Sequence, residues 1–487
     1  MKGPRGLWPG LVPSLPLLVG FALLMLAFAH SIVLLHDPDT YLHITAGRWI
    51  IDHRALPSRD PFSHSMAGAP WTAPEWLAEV VLATIYGAFG WGGLIAATLF
   101  CYAGAIAMLT RYLLRHAEPL TTLILVAAAV AVTQAHLLAR PHLLALPLLV
   151  VWCGEIFAAR DAGRRPSFWL LAVMLLWANF HGSFVLGLGL AGYLALESAI
   201  WPGREGRMRE VQGWGIFVAL AIGAAVLTPN GPGGLLEPFR LMRMDVLSTA
   251  IVEWLSPNFQ DFQPVELWLL GAVLVAFTAG IRLPLARALL LVGLFHMALQ
   301  HARHAELVGL IGPLAIVGTL GPQLAVIIRS SPPSELARVL ARLAEPASWG
   351  ACMLWLAVGV GICSSILGRP IQRADDISTP SSAVAAAQRM GLTGPVFNSE
   401  DLGGYLLFSG VKTFIDGRFE MYGEQFLKIY LKATSGGDPA ALAALLENYH
   451  IGWTLLDAGS DAAAMMDHMQ DWHRVYADDR SVIHVRR

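Results

Sequence analysis

The run His36-Asp37-Pro38-Asp39-Thr40-Tyr41-Leu42-His43 sets two carboxylates one residue apart, held by a proline and flanked by histidines. A pair of this kind can take a proton from an attacking hydroxyl, ligate a hard divalent cation through oxygen, or do both. An Asp-x-Asp is also a common acidic helix terminus that simply ends in water, so the pair gains weight only from its company. That company is His136-Leu137-Leu138-Ala139-Arg140-Pro141-His142, Trp177-Ala178-Asn179-Phe180-His181-Gly182, Thr228-Pro229-Asn230-Gly231, Glu253-Trp254-Leu255-Ser256-Pro257 and Gln300-His301-Ala302-Arg303-His304. Guanidinium groups grip phosphate oxygens bidentately. Ionisable side chains at membrane depth are costly and line a cavity or pathway. Each residue alone is explained as a loop side chain reaching for water. Five connections together point to one shared cavity.

The elements that must bring these segments together are apolar helices. The 487 residues are 55% hydrophobic and 14% charged, with a mean hydropathy of +0.56, where a soluble domain carries about 25% charged residues. A span needs about 20 apolar residues. Eleven segments qualify, at about 12–35, 91–110, 120–136, 142–159, 167–180, 183–200, 213–228, 264–281, 285–300, 303–320 and 347–367, a count good to about one. The first follows Lys2 and Arg5 and contains Ala27-Phe28-Ala29, which resembles a signal cleavage site. Its length of about 25 residues exceeds a signal core of 7–15, so it reads as an uncleaved helix.

Basic residues test this ladder. With a cytoplasmic N-terminus, one side holds Lys2, Arg5, Arg111, Arg115, Arg160, Arg164, Arg165, Arg204, Arg207, Arg209, Arg282, Arg287, Arg329, Arg338 and Arg342. The other side holds Arg48, Arg54, Arg59, Arg140, Arg240, Arg243 and Arg303. That asymmetry follows the positive-inside rule, and it places every chemistry-bearing connection, together with the tail, on the extracytoplasmic side. The connection from His36 to about Gly90 is too long and polar for a turn. Within it, the stretch opening at Glu75-Trp76-Leu77-Ala78-Glu79 reads as an interfacial helix of about 14 residues. The tail, 370–487, regains soluble polarity. It alternates β-like runs (396–397, 405–408, 412–415, 453–456) with helical ones near 424–434, 438–449 and 461–471, as expected of a small α/β domain. The expected architecture is thus an all-α membrane domain over 1–369, with a large first extracytoplasmic loop at 36–90, followed by an extracytoplasmic α/β domain.

Several functions are excluded or disfavoured. A net charge of −2 lacks the basic face of a nucleic-acid binder. Cys101, Cys153, Cys352 and Cys363 lie in apolar runs and suggest neither disulfides nor a thiolate metal site. The histidines lack tight zinc spacing, and no Walker-type phosphate loop is present. Gly187-Leu188-Gly189 lies inside an apolar helix and reads as helix packing.

Together these residues resemble the GT-C superfamily of membrane glycosyltransferases, in which a long first extracytoplasmic loop opens with an acidic motif after helix one. They are similar, more narrowly, to a bacterial GT-C-like group. The resemblance rests on Asp37-Pro38-Asp39-Thr40-Tyr41-Leu42-His43-Ile44 with Gly47-Arg48, Asp60-Pro61-Phe62-Ser63, Pro70-Trp71, Glu75-Trp76-Leu77, Ala139-Arg140-Pro141-His142, Trp177-Ala178-Asn179-Phe180-His181-Gly182, Glu253-Trp254-Leu255-Ser256-Pro257 and Phe414-Ile415-Asp416-Gly417-Arg418. It covers most of the chain, with Pro74 standing where the group commonly has histidine.

The resemblance implies a glycosyltransferase of the bacterial cytoplasmic (inner) membrane that moves a sugar from a polyprenyl-phosphate-linked donor to a hydroxyl on a glycan, lipid or protein. It implies Asp37 as the acid that deprotonates or orients the acceptor, with Asp39 as its partner. It leaves open a divalent cation, Mg or Mn, on Asp37 and Asp39. Tyr41, His43, Glu75, Arg140, His142, Asn179, His181, Glu253, His301, Arg303 and His304 are the candidate substrate-binding residues. Arg140, Arg303 and His304 would meet the donor phosphate. Asp416-Gly417-Arg418 reads either as part of acceptor recognition or as a turn closed by an ion pair.

Two rival readings remain beside this one. A transporter or flippase of lipid-linked sugars would carry polar residues along the full membrane depth, often with a repeat; here they crowd one face. A non-catalytic envelope assembly protein would use the tail alone.

Overall fold

The computed structural model describes residues 12–29, 31–203, 206–328, 334–367, 371, 373–435 and 437–487. Lys2, Arg5, Arg204 and Arg329 of the basic-loop pattern lie outside them. Among the described residues, eleven apolar helices fall on the segments that hydropathy marks out. Five are long and apolar enough to cross a membrane by length and composition, and six are shorter. They are α1 (Leu15–Ala29), the second half of α3 (Trp76–Leu113), α4 (Pro119–Thr133), α5 (Pro141–Asp161), α6 (Leu170–Phe180), α7 (Phe184–Ile200), α8 (Arg207–Val226), α11 (Pro264–Thr278), α12 (Leu285–Gln300), α13 (Ala305–Ile328) and α15 (Trp349–Leu367). The chain is a multi-pass membrane protein.

α3 is central, packing on α1, α2 (Pro38–His53), α4, α5 and α15. Gly90, at φ 60, breaks it into two helical stretches. Trp152, Trp177, Trp214 and Phe217 are fully buried between α5, α6 and α8. Gly187 on α7 lets this cluster close: the Trp152 indole donates to its carbonyl at 2.9 Å, and a Cβ there would press into Trp177. The packing reading of Gly187-Leu188-Gly189 therefore holds at Gly187.

Directly after the first span, the chain forms a helix that hydropathy does not mark, α2 (Pro38–His53). Asp37 caps it, accepting the Asp39 amide at 2.8 Å, and Pro38 takes the first helical position, where the missing N–H costs nothing. Two segments outside the bundle, α9 (Gly231–Met242) and α10 (Asp245–Ala250), lead to Glu253. The amphipathic α14 (Glu335–Leu343) lies between α13 and α15.

The C-terminal part holds α16 (Ser381–Arg389), β1 (Val396–Asn398), α17 (Glu400–Phe408), α18 (Phe419–Ser435), α19 (Pro439–Asn448), β2 (Trp453–Asp457), α20 (Asp461–Asp467), β3 (Trp472–Ala477) and β4 (Ser481–Arg486). The sheet order is β1-β2-β4-β3, with β1 parallel to β2 and the other pairs antiparallel. Two expected strands are not strands. Residues 405–408 belong to α17, which packs on α2; a short apolar run does not separate helix from strand. Residues 412–415 form a loop whose Thr413 makes a single bridge to Ser63 of the first loop.

Candidate active site

The site lies at the end of the bundle that carries the α1–α2 turn. Three groups of side chains meet there. In the first, the Arg140 guanidinium, at the N-terminus of α5, contacts Asp37 through Nε, reaches Asp39 Oδ2 at 3.4 Å through Nη2 and Glu253 Oε1 at 3.3 Å through Nη1. Asp37 is fully buried, and its oxygens are taken by Arg140 and by the Asp39 amide. Asp39 remains 27% exposed. Burial raises its carboxyl to about 6; the His43 charge pulls it down, while Glu253, Asp401 and Asp416 push it further up.

The second group is a chain of imidazoles and carboxylates. His43 follows Asp39 by one turn of α2, on the same face. Its Nδ1 lies 3.4 Å from Glu79 Oε1 and its Nε2 3.9 Å from Glu75 Oε2. Glu75 Oε1 in turn lies 3.5 Å from His181 Nε2. His142 stands beside His181, with ring centroids 6.2 Å apart, and its Nε2 lies 2.9 Å from the His136 carbonyl. Burial alone would lower His43, but Glu79, Glu75 and Asp39 outweigh it and raise the ring to about 9. Burial raises Glu75 to about 7 against the His43 charge. His181 drops to about 3 through burial and the charges of Arg303, His43 and Arg140. The chain therefore holds a cationic His43 and a neutral His181.

The third group gathers around Trp254. Arg303 lies over its ring at 4.8 Å, a cation–π arrangement. His301 Nδ1 sits 2.6 Å from the Trp254 carbonyl, and the His301 and His304 rings meet edge to face at 5.2 Å. Among the described residues no carboxylate lies within 4 Å of Arg303, whereas Arg140 is surrounded by three.

The structure thus brings Asp37, Asp39, His43, Glu75, Arg140, His142, His181, Glu253, His301, Arg303 and His304 to one end of the bundle. It does not bring Tyr41 there. Tyr41 is 1% exposed, its hydroxyl lies 3.0 Å from Thr379 Oγ1, and its ring packs among Trp91, Tyr405 and Phe408 under the Arg373 guanidinium. It joins α2 to the C-terminal part. Asn179 is 6% exposed, accepts from the Trp76 indole at 2.7 Å and donates to the Leu175 carbonyl at 2.8 Å; it ties α6 to the start of α3 and lines an apolar groove between them. Asp37 is held on both oxygens, by the Asp39 amide and by Arg140, so its carboxylate is fixed at the start of α2. Glu79 belongs to the site although sequence reasoning passed over it; its spacing of four from Glu75 on a helix was the available signal. The histidine partners of Glu75 come from α2 and from the α6–α7 turn, not from position 74. Among the described residues, no group of three His, Cys, Asp or Glu side chains converges to hold a metal ion. With Arg140 on Asp37, the residues present do not form a cation cradle.

The Asp416-Gly417-Arg418 run is an ion-paired lock. Arg418 is 3% exposed and donates to Asp416 Oδ1 at 2.7 Å and to Asp60 Oδ1 at 2.6 Å. Thr413 and Tyr422 hydroxyls donate to Asp416 Oδ2, each at 2.9 Å. The Arg418 charge and these hydrogen bonds overcome burial and hold Asp416 below the usual carboxylate range. The lock fastens the first loop to the C-terminal part, with Ser65 donating to the Phe414 carbonyl at 2.5 Å.

No protein-family model matches the chain, and no curated protein matches it. Solved structures do. The apo oligosaccharyltransferase of Archaeoglobus fulgidus superposes with a TM-score of 0.52 at 10% identity, covering 90% of this chain and 69% of that one. AglB of the same organism, solved with an inhibitory peptide and a dolichol-phosphate, gives 0.51 at 10% identity with the same coverage. AglB is a GT-C superfamily member. The chain has the GT-C fold. In this GT-C fold the acidic turn after the first span, the α5 N-terminus and the α12–α13 turn face one another.

Proposed function

We propose that the chain is a GT-C glycosyltransferase that moves a sugar from a polyprenyl-phosphate-linked donor to a hydroxyl acceptor on the extracytoplasmic side of the membrane. In this reading residues 1–369 form the membrane domain with eleven spans, and 370–487 form a domain on the same side as the site. The AglB structure with a dolichol-phosphate supports a lipid-phosphate carrier by analogy of fold. The observation that carries the reading is the division of labour between two arginines. Arg140 is neutralised by Asp37, Asp39 and Glu253, while Arg303, free of carboxylate contact among the described residues, stands ready for a phosphate.

The reaction follows from that division. The acceptor oxygen attacks the anomeric carbon as the bond from that carbon to the phosphate oxygen breaks. Asp39, ionised above about pH 6 and partly exposed, takes the acceptor's proton. Asp37 orients Arg140, which keeps Asp39 in place. Arg303 stabilises the charge gathering on the leaving phosphate, a preorganised electrostatic role. No step passes through a metal ion. The lipid tail has a path: an apolar groove of about 770 Å³ opens between the start of α3, α6 and residues 226–229, lined by Trp76, Leu77, Leu175 and Leu176. Its lining residues Trp76 and Asn179 are chain neighbours of Glu75 and His181, so a tail in the groove would bring its head toward the polar chain.

Purified protein incubated with a panel of polyprenyl-phosphate sugars should release polyprenyl phosphate, and Asp39→Asn should abolish the release without loss of folded protein. Cysteine labelling that found positions 37 and 303 on opposite sides of the membrane would remove any common reaction centre.

A further inference from the structure

Asp39 is pressed between two bodies. Arg140 lies on one oxygen, with Nη2 3.4 Å from Oδ2. On the other side stands Gly417 of the C-terminal part. A Cβ at 417 would overlap Asp39 Oδ1 and lie 3.1 Å from its Cγ. The approach continues along α2: a Cβ at Gly404 of α17 would overlap the Pro38 carbonyl oxygen. Neither glycine has a positive φ, so close contact and not backbone conformation is what a side chain would disturb there.

The loop bearing Gly417 has nowhere to retreat. Its neighbours on both sides are anchored: Asp416 by Thr413, Tyr422 and Arg418, and Arg418 by Asp60 of the first loop. All of these groups are buried, and Asp60 is itself held by the Phe62 amide at 2.9 Å and the Ser63 hydroxyl at 2.5 Å. Leu42, one turn further along α2, closes the same surface at 3.6 Å from the would-be Cβ. Asp39, by contrast, is a side chain that is 27% exposed, so its carboxylate can turn where the anchored loop cannot. A methyl group at 417 therefore moves Asp39 rather than the loop.

We propose that Gly417 is a positioning residue for Asp39, so that the C-terminal part forms a wall of the reaction centre and sets the direction in which the Asp39 carboxylate points. The proposal rests on the reading of Asp39 as the base, but the contact itself is tested without any substrate. The test is a double-mutant cycle in the full-length protein, comparing wild type, Gly417→Ala, Asp39→Ala and the double variant, with thermal unfolding in detergent as the first readout. Coupled residues give non-additive losses, and independent ones add. Gly417→Ala should lower the unfolding temperature by on the order of 3 °C, and Asp39→Ala should cancel most of that loss, because it empties the space the methyl group needs. Gly459→Ala, a position with nothing within 4 Å, gives the baseline. Should Gly417→Ala fail to accumulate, recovery of folded protein in the double variant supports the contact and its absence overturns it. Equal losses in both backgrounds also overturn it.

The second readout is release of polyprenyl phosphate from the donor that wild type uses. Gly417→Ala should lose about tenfold or more in kcat, with the donor KM within about twofold. An unchanged kcat beside a coupled unfolding cycle would overturn the positioning role. A panel in which wild type turns over no donor removes the glycosyltransferase reading, while the unfolding cycle still judges the Gly417–Asp39 contact by itself.

Discussion

Two arginine–carboxylate clusters stand at the two ends of α5, about 30 Å apart at the rise of an α-helix, and they are built in opposite ways. At the first end Arg140, Asp39 and Glu253 keep 23%, 27% and 32% of their side chains exposed. At the other, Arg160 and Arg287 meet Glu197, Glu210 and Asp161 from α5, α7, α8 and α12, and Glu197, Glu210 and Arg287 are 9%, 0% and 3% exposed. The sealed cluster bolts four helices together; Arg287 donates to Asp161 at 2.7 Å and also lies over the Phe157 ring. The open cluster leaves Asp39 partly exposed, at the same end of the bundle as Arg303, which among the described residues has no carboxylate within 4 Å. The same residue types thus serve two purposes, although each cluster mixes sealed and open groups: Asp37 is 0% exposed at the first end and Asp161 31% exposed at the other.

The largest expected effect breaks the comparison at the open end. Asp39→Asn should reduce turnover by about 10²–10⁴-fold, the range of a lost general base, with the unfolding temperature little changed. Its counterpart acts on stability. Arg287→Met leaves Asp161 without its cation and Glu197 with Arg160 alone; a fully buried pair broken in this way costs about 3–5 kcal/mol, and the 31% exposure of Asp161 puts the expected loss below that range. Denaturation in detergent should show that loss, while turnover per folded molecule stays within about twofold. If Arg287→Met instead abolished turnover in folded protein, the two clusters would not divide as described.

A third expectation sharpens the open end. Asp39 works as a carboxylate, so turnover should fall as pH drops through about 6. His43 is a cation up to about 9, so it is charged throughout the acid limb and draws the Asp39 value down. His43→Gln removes the charge, and the acid limb should move upward. A profile unchanged by His43→Gln would show that the imidazole chain has no electrical hold on Asp39.

Much of this was legible in the sequence, and the reasons are physical. Apolar length marked the helices, and the distribution of arginine marked their ends, so Asp37, Arg140, Glu253 and Arg303 could be assigned to one end before any coordinates. The Asp37-Pro38 pair carried a helix-start signal, an N-cap followed by proline. That signal was not extended into a helix, and the error with Tyr41 followed from the omission. On a helix, Asp39 and His43 share a face because they are one turn apart, whereas Tyr41 is two residues from each and points to the other side. The wall at Gly417 was beyond reach for another reason. It depends on a contact between residues more than 370 positions apart, and short-range periodicity carries no information about which distant loop abuts which carboxylate.

That geometry gives the smallest expected effect. Tyr41→Phe deletes one hydroxyl whose partner is Thr379 and leaves the ring in its nest of Trp91, Tyr405 and Phe408. A neutral hydrogen bond of this kind contributes about 1 kcal/mol, so the unfolding temperature should drop by a few degrees at most. Turnover should stay within about twofold, because nothing on the Asp39 face of α2 changes. A hundredfold loss in folded Tyr41→Phe would place the hydroxyl in the reaction after all, and the face of α2 that touches the C-terminal part would then have to be counted with the open cluster.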